Sequence, residues 1–265
     1  MDMQLTGKKA LITGGSRGLG RAIAQALARE GVSVALVARH EEPLKAAAEE
    51  IAQTTRQRAV PFVCDMMDGA AIDTMVAAAA DALGGLDILV NAASRVSGGV
   101  PEDVTHVTDD LILNDFVEKY LGYFRAARAA WPWLKQSSSG RIINVAGLAA
   151  RQPGSLSAGA RNIAVVSLTK NLAWAFGRDG ITVNAIHPGT VVTDSFRSRM
   201  EAQAVHRGVS YEEHVAQLER STALGRLPTA EDVANVAVFF ASPLSGAVTG
   251  EVIAVSAGSP RAVFI

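Results

Sequence analysis

Short, nearly continuous apolar runs alternate along the chain with longer segments whose apolar residues recur every three or four positions. The runs have the length and the Val, Ile, Leu and Ala content of strands that are buried on both faces. They read KALIT, VSVALVA, AVPFVCD, LDILVNAA, GRIINVA, ITVNAIHPG and GEVIAVSAG. Segments such as GLGRAIAQALAREG between them have helical spacing. This alternation, with short glycine-containing joints, predicts a doubly wound α/β fold with a mostly parallel sheet.

One polar segment interrupts the alternation. Residues 194–230 are rich in Arg, Glu and His and follow the carboxyl end of a predicted strand. Ligands bind at that end of the strands in such sheets. We therefore expect a mobile helical lid over a binding site, with a solvated excursion as the alternative.

Length and composition narrow the class of protein. The 265 residues suffice for a single domain covering 1–265, and the formal net charge is −1 without a basic stripe, so nucleic acid is not an expected partner. A lone cysteine, Cys64, excludes an internal disulfide and a thiolate zinc site, and we expect no bound metal. The N-terminus is unlike a signal peptide, and the longest apolar runs are too short to span a membrane, so we expect a cytoplasmic protein with no membrane partner.

The first strand joins the first helix through the glycine-rich turn TGGSRGLG at residues 13–20. Gly14 permits a tight turn, Gly18 allows backbone to approach a pyrophosphate, and Gly20 allows the helix to pack on the strand. The N–H groups of the helix N-terminus, with Ser16, Arg17 and Leu19 around them, suit phosphates. A purely structural turn is the alternative, but the flanking strand and helix favour a dinucleotide site.

The second strand ends in VARH, where an NAD-preferring protein would carry an acid for the ribose hydroxyls. This chain offers Ala38, Arg39 and His40 instead. Arg39 and Arg17 would form charge-assisted bonds to a 2′-phosphate, so the sequence predicts NADP(H). A solvated surface role for Arg39 is the alternative.

Together with six further segments, this turn resembles the short-chain dehydrogenase/reductase family along nearly the whole chain. The segments are Asp65 after the third strand, VNAA at 90–93, GRIINV at 140–145, ITVNAIHPGTVVTD at 181–194, LGRLPTAEDVA at 224–234 and TGEVIAVSAG at 249–258. The resemblance implies a single Rossmann-type domain of three layers with about seven strands. It also implies a homodimer or homotetramer, for which RAAWPWL at 128–134 and the tail at 261–265 are candidate contacts.

Carried over by position, the resemblance assigns further cofactor contacts. Asp65 should meet the adenine, and Asn91, Ala92 and Ala93 should line the cofactor behind the fourth strand. The Asn91 amide has a second possible role in the family, which is to stabilise the sheet by hydrogen bonding to the backbone. The nicotinamide end should be held by Pro188, Gly189, Val191 and Thr193.

The chemistry of the family rests on an Asn, a Ser, a Tyr and a Lys, and this chain departs from all four. The Asn position holds Lys119, in KYLGYF, and the Ser position holds Gly147 or Ala146. The Lys position holds Asn162. The Tyr position holds Ala158, or Gly159 if the preceding loop is shorter, and no Tyr occurs between residues 124 and 210.

The Lys and the Asn have exchanged places, which preserves one positive charge and one amide. This resembles divergent members of the family that share a Lys and an Asn at these positions. A partly buried Lys119 near the cofactor would have a depressed pKa and serve as the proton donor. Drift after loss of function is the alternative.

Other candidates for the missing acid have ordinary structural roles open to them. Tyr123 can pack between helices, Ser155 and Ser157 can be loop hydroxyls, and His187 can be a structural histidine. Arg161 can bind a substrate carboxylate or face solvent.

Two functions from different classes therefore follow. One is an NADP(H)-dependent oxidoreductase that acts on a small-molecule carbonyl, alcohol or activated double bond with a non-standard catalytic set, Lys119 and Asn162. The other is a non-catalytic NADP(H)-binding protein that serves as a sensor or assembly partner.

Overall fold

A computed structural model describes residues 1–94 and 104–259. Seven parallel strands form one sheet in the order β3-β2-β1-β4-β5-β6-β7. The strands are β1 (Lys9–Thr13), β2 (Ser33–Ala38), β3 (Ala59–Val63), β4 (Ile88–Asn91), β5 (Arg141–Val145), β6 (Thr182–Pro188) and β7 (Val252–Val255). The fold is thus the predicted Rossmann-type α/β domain, and the apolar runs of the sequence correspond to its strands.

Helices cover both faces of the sheet. They are α1 (Gly18–Arg29), α2 (Glu41–Thr55), α3 (Gly69–Leu83), α4 (Asp109–Asp115), α5 (Gly122–Leu134), α6 (Leu156–Phe176), α7 (Phe196–Arg207), α8 (Tyr211–Arg220) and α9 (Ala230–Ala241). Side chains of α1, α2 and α9 form the apolar core on one face of the sheet, and those of α3, α5 and α6 form the core on the other. The central side chains of both cores are buried and closely packed, which gives the strand ends between them a rigid support.

A π-helical turn, Phe116–Leu121, joins α4 to α5. Such turns bond residue i to i+5 and are frequent at functional sites. Thr108 caps the start of α4 by accepting from the backbone N–H of Leu111. The turn carries Lys119, and no pattern in the sequence predicts a π-helical turn at this place.

Two helices occupy much of the polar segment 194–230. Phe196 and Met200 of α7 form a small apolar cluster with Leu227, and side chains of α8 pack against it. His214 is buried, and its Nε2 lies 3.0 Å from the Gln203 Oε1. The segment therefore contains two helices with an apolar cluster of their own; its role as a lid stays a prediction.

None of the helices within 1–94 and 104–259 is long and apolar enough to cross a membrane. Trp131 stacks on Phe176 at a centroid distance of 6.1 Å and donates through Nε1 to Asp179, so part of RAAWPWL packs within the chain. The tail at 261–265 lies outside the described residues. The homodimer or homotetramer and the cytoplasmic location stay predictions.

Candidate functional site

A cleft of about 990 Å³ opens at the carboxyl ends of the strands. It lies where the strand order reverses between β1 and β4, the usual place for a ligand in a doubly wound sheet. The predicted site residues that line it are Gly14, Ser16, Arg17, Gly18, Leu19, Gly20, Arg39, His40, Asp65, Ala92, Ala93, Lys119, Asn162, Pro188, Gly189, Val191 and Thr193. The fold thus brings residues from 14 to 193 to one edge.

The glycine turn forms one end of the cleft. Gly14 has a φ of +72°, and a Cβ there would stand 2.9 Å from the Ala92 carbonyl oxygen. Gly18 has a φ of +57°, and a Cβ there would meet no atom within 4 Å. Helix α1 begins at Gly18 without a side-chain cap, so its first N–H groups face this open space. The turn is therefore an anion cradle.

The wall beyond the turn is basic. Ala38 is the last residue of β2, and Arg39 and His40 follow it before α2 begins. Both line the cleft with Arg17, while no carboxylate stands at the end of β2. An anionic group of the size of a phosphate fits this wall better than an uncharged hydroxyl pair.

Asn91 is placed differently from its neighbours. It is fully buried at the end of β4 and is not among the cleft-lining residues. Its Nδ2 donates to the Asn144 Oδ1 at 2.9 Å, and Asn144 in turn donates to the Thr169 hydroxyl at 2.9 Å. The side chain thus ties β4 to β5, which is the sheet-stabilising role.

Lys119 lies inside the cleft, with only 4% of its surface exposed. Its Nζ donates to the Ala146 carbonyl oxygen at 2.8 Å, just beyond β5. Burial, together with the charge of Arg161, lowers the pKa of Lys119 from its ordinary 10.5 to about 7, while Asp115 and Glu118 oppose the shift. An amine in this environment exchanges a proton near neutral pH.

A buried ion pair stands beside this lysine. The Arg161 Nη1 lies 2.7 Å from the Asp115 Oδ1, and the Ser157 hydroxyl donates to the other oxygen of Asp115. Arg161 and Glu118 line the cleft as well. The pair joins α4 to α6 and thereby holds the π-helical turn against the helix that carries Asn162.

Asn162 faces the end of β5. It is 4% exposed and lines the cleft, and its Oδ1 is buried with no hydrogen-bond partner among the described residues. Its Nδ2 packs against Gly147. Lys119 and Asn162 therefore approach the consecutive residues Ala146 and Gly147 from two different helices.

The other candidates for a proton donor lie elsewhere. Tyr123 is fully buried and donates through its hydroxyl to the Val145 carbonyl at 3.1 Å, and burial raises the pKa of this phenol strongly. Ser155 caps α6 by accepting from the Ala158 N–H. Burial, helped by the charges of Arg151 and Lys119, lowers the pKa of His187 to about 4, so its imidazole is neutral. None of Tyr123, Ser155 and His187 is among the cleft-lining residues.

Sequence reasoning missed several residues that shape the site. Asp115 was not a candidate, because its partner Arg161 lies 46 positions away in the chain and no pattern within one segment indicates the pair. Arg199 lines the cleft from α7 and donates to the Val191 carbonyl at 3.4 Å. Among the described residues, no group of three or more His, Cys, Asp or Glu side chains is arranged to hold a metal.

Residues 14–259 match the family model described as enoyl-(acyl carrier protein) reductase. The short-chain reductase protein NovJ of Streptomyces niveus is 34% identical over 254 residues, which cover 95% of this chain and 93% of NovJ. The NADPH-dependent reductase BacG of Bacillus subtilis is 27% identical over 259 residues, with 97% and 99% covered.

Among solved structures, the L-sorbose reductase of Gluconobacter frateurii, complexed with NADPH and L-sorbose, superposes with a TM-score of 0.93. It is 28% identical, and the match covers 99% of this chain and 100% of that chain. The similarity therefore extends over the whole fold, including the cleft.

Proposed function

The chain belongs to the short-chain dehydrogenase/reductase family, and we propose that it is an NADP(H)-dependent oxidoreductase in which Lys119 replaces the usual tyrosine as proton donor. Its substrate is a small carbonyl compound, the corresponding alcohol or an activated double bond. One observation carries the proposal: a lysine with a pKa of about 7 is buried inside the cleft that holds the glycine turn.

The residues present fit NADP(H). The open cradle at Gly18 suits the pyrophosphate, and Arg17, Arg39 and His40 suit a 2′-phosphate. The buried Oδ1 of Asn162, which has no hydrogen-bond partner among the described residues, can accept from a ribose hydroxyl, and Asp65 lines the cleft where the adenine would bind. Bound NADPH supplies the hydride, which adds to the carbonyl carbon of the substrate.

Lys119 completes the reduction. Its ammonium gives one proton from Nζ to the carbonyl oxygen, so that the substrate becomes an alcohol and the lysine a neutral amine. Burial makes the neutral amine stable, and the Ala146 carbonyl continues to orient it through a remaining N–H. Water entering the cleft then returns the proton. In the opposite direction the neutral amine acts as the base.

The segment 194–230 acts as a lid in this proposal. Arg199 of α7, Leu218 of α8 and the residues Ser221 and Thr222 just after α8 lie on the wall of the cleft. A substrate bound beside Lys119 would be covered from this side, which excludes water from the reacting atoms.

The test compares the parent with Lys119→Met and Lys119→Arg on a panel of an acyclic ketone, a cyclic ketone, a 1,2-diketone, a 3-oxoester and L-sorbose, with NADPH oxidation followed by absorbance. Both variants should lose ~10²–10⁴ in kcat, because methionine has no proton to give and arginine does not release its own. NADPH affinity, measured by fluorescence titration, should stay near that of the parent.

Lys119→Arg separates proton donation from the mere presence of a cation. The proposal is wrong if the parent reduces none of the panel, or if either variant keeps the parent's kcat. NADPH binding without any turnover would favour the non-catalytic binding protein.

A further inference from the structure

Position 147 holds a glycine because a side chain there would collide with a neighbour, and not because of its backbone conformation. Its φ of 169° and ψ of 148° are extended values that any residue adopts. A Cβ built on it would stand 2.7 Å from the Asn162 Nδ2, 3.2 Å from its Cγ and 3.3 Å from its Oδ1. The carboxamide of Asn162 therefore occupies the volume that a side chain at position 147 would need.

Gly147 is, with Ala146, one of the two positions where the resemblance places the family's substrate-orienting serine. Gly147 follows the end of β5 and lines the cleft beside Ala146, whose carbonyl accepts from Lys119 at 2.8 Å. Lys119 and the Asn162 carboxamide thus contact two consecutive residues at the end of β5, on the wall of the same cleft.

Asn162 is held rigidly enough for such a task. Its neighbour Arg161 is bonded at 2.7 Å to Asp115, and Ser157 on the same helix donates to that carboxylate. The helix start is fixed by the Ser155 cap. These bonds set the rotation of α6, and therefore the direction in which the Asn162 carboxamide points.

We propose that the Asn162 carboxamide replaces the missing serine hydroxyl: Nδ2 donates a hydrogen bond to the substrate carbonyl oxygen, in the space left by Gly147. An amide N–H donates without losing its proton, so Asn162 orients the carbonyl and stabilises charge on its oxygen, while Lys119 supplies the proton. The proposal rests on the function proposed above and adds a hydrogen bond to the substrate for Asn162, whose Oδ1 alone was used there, toward the ribose.

The experiment uses the full chain with NADPH and the same carbonyl panel, and it compares Asn162→Ala, Gly147→Ser and the double variant. Asn162→Ala should lower kcat about 10- to 100-fold, because one oriented donor is lost. Gly147→Ser should also lower kcat, since its side chain collides with the carboxamide. The double variant should regain at least about tenfold over Asn162→Ala, because the serine hydroxyl then has room.

A binding measurement keeps the cofactor role apart from the substrate role. NADPH affinity, measured by fluorescence titration without substrate, should fall no more than about tenfold in Asn162→Ala, the loss of one hydrogen bond, and Gly147→Ser should not restore it. Asn162→Leu keeps the branched shape of the side chain and removes the donor. It should lower kcat as Asn162→Ala does, and it replaces that variant if the smaller residue impairs folding.

Three outcomes decide the matter. An active parent whose Asn162 variants keep full kcat overturns this inference alone. A double variant no faster than Asn162→Ala also overturns it. A parent with no turnover on the panel overturns the proposed function, and this inference with it.

Discussion

Lys119→Met should change how the stability of the protein depends on pH. In the folded chain without NADPH, burial lowers the pKa of Lys119 from 10.5 to about 7. The unfolded chain returns the lysine to water and to its ordinary value. Between these two pH values the unfolded state therefore holds more protons than the folded state, and stability rises with pH. Below pH 7 the buried ammonium lowers the free energy of unfolding, and methionine at this position removes that destabilisation.

The size of the effect follows from the two pKa values. Integrated from pH 6.5 to pH 9.5, the difference in bound protons corresponds to about 3 kcal/mol of unfolding free energy. The parent should gain this amount relative to Lys119→Met over that interval. Other titrating groups are common to both proteins and cancel in the comparison.

Urea unfolding at pH 6.5 and 9.5, followed by far-UV circular dichroism, measures the difference. Lys170→Met is the matched control, because the side chain of Lys170 is 68% exposed and lies away from the cleft. The control should show the pH dependence of the parent. If Lys119→Met shows it too, the lysine is not held in the environment described, and its role as an acid near neutral pH loses its basis.

Two further predictions concern the cofactor. Arg39→Asp should make NAD(H) bind more tightly than NADP(H) in calorimetry, because a carboxylate accepts ribose hydroxyls and repels a 2′-phosphate; a parent that binds NAD(H) as tightly as NADP(H) would contradict the assignment. Gly18→Val should abolish NADPH binding in a folded protein. Gly180→Val is the control, because Gly180 has a φ of +76°, stands in equally open space and lies away from the cleft; it should strain the backbone similarly and bind NADPH normally. NADPH binding by the Gly18 variant would show that the phosphates lie elsewhere.

The sheet and the glycine turn were predictable because local signals specify them. Strands buried on both faces are continuous apolar runs, and a turn with φ values of +72° and +57° needs Gly14 and Gly18. The cleft edge follows from these two elements alone, since parallel strands end together.

The acid-base side of the cleft was predictable only in part. The exchange of Lys119 and Asn162 was visible by position, but the ion pair of Arg161 joins residues 46 positions apart in the chain and has no local signature. The space filled by the Asn162 carboxamide above Gly147 likewise depends on how α6 packs against β5. Such contacts arise from tertiary packing, and a residue pattern within one segment cannot predict them.

The π-helical turn over Phe116–Leu121 changes the rotation of α4 relative to α5 within one helical rod. Because it closes from i to i+5, the rod holds about one residue more than a regular α-helix, and one residue is about 100° of rotation. Tyr123 and Ala127 of α5 lie in the core, whereas Lys119 in the turn lines the cleft. The added residue therefore sets which side chains of this helical rod face the cleft, while α5 stays packed in the core.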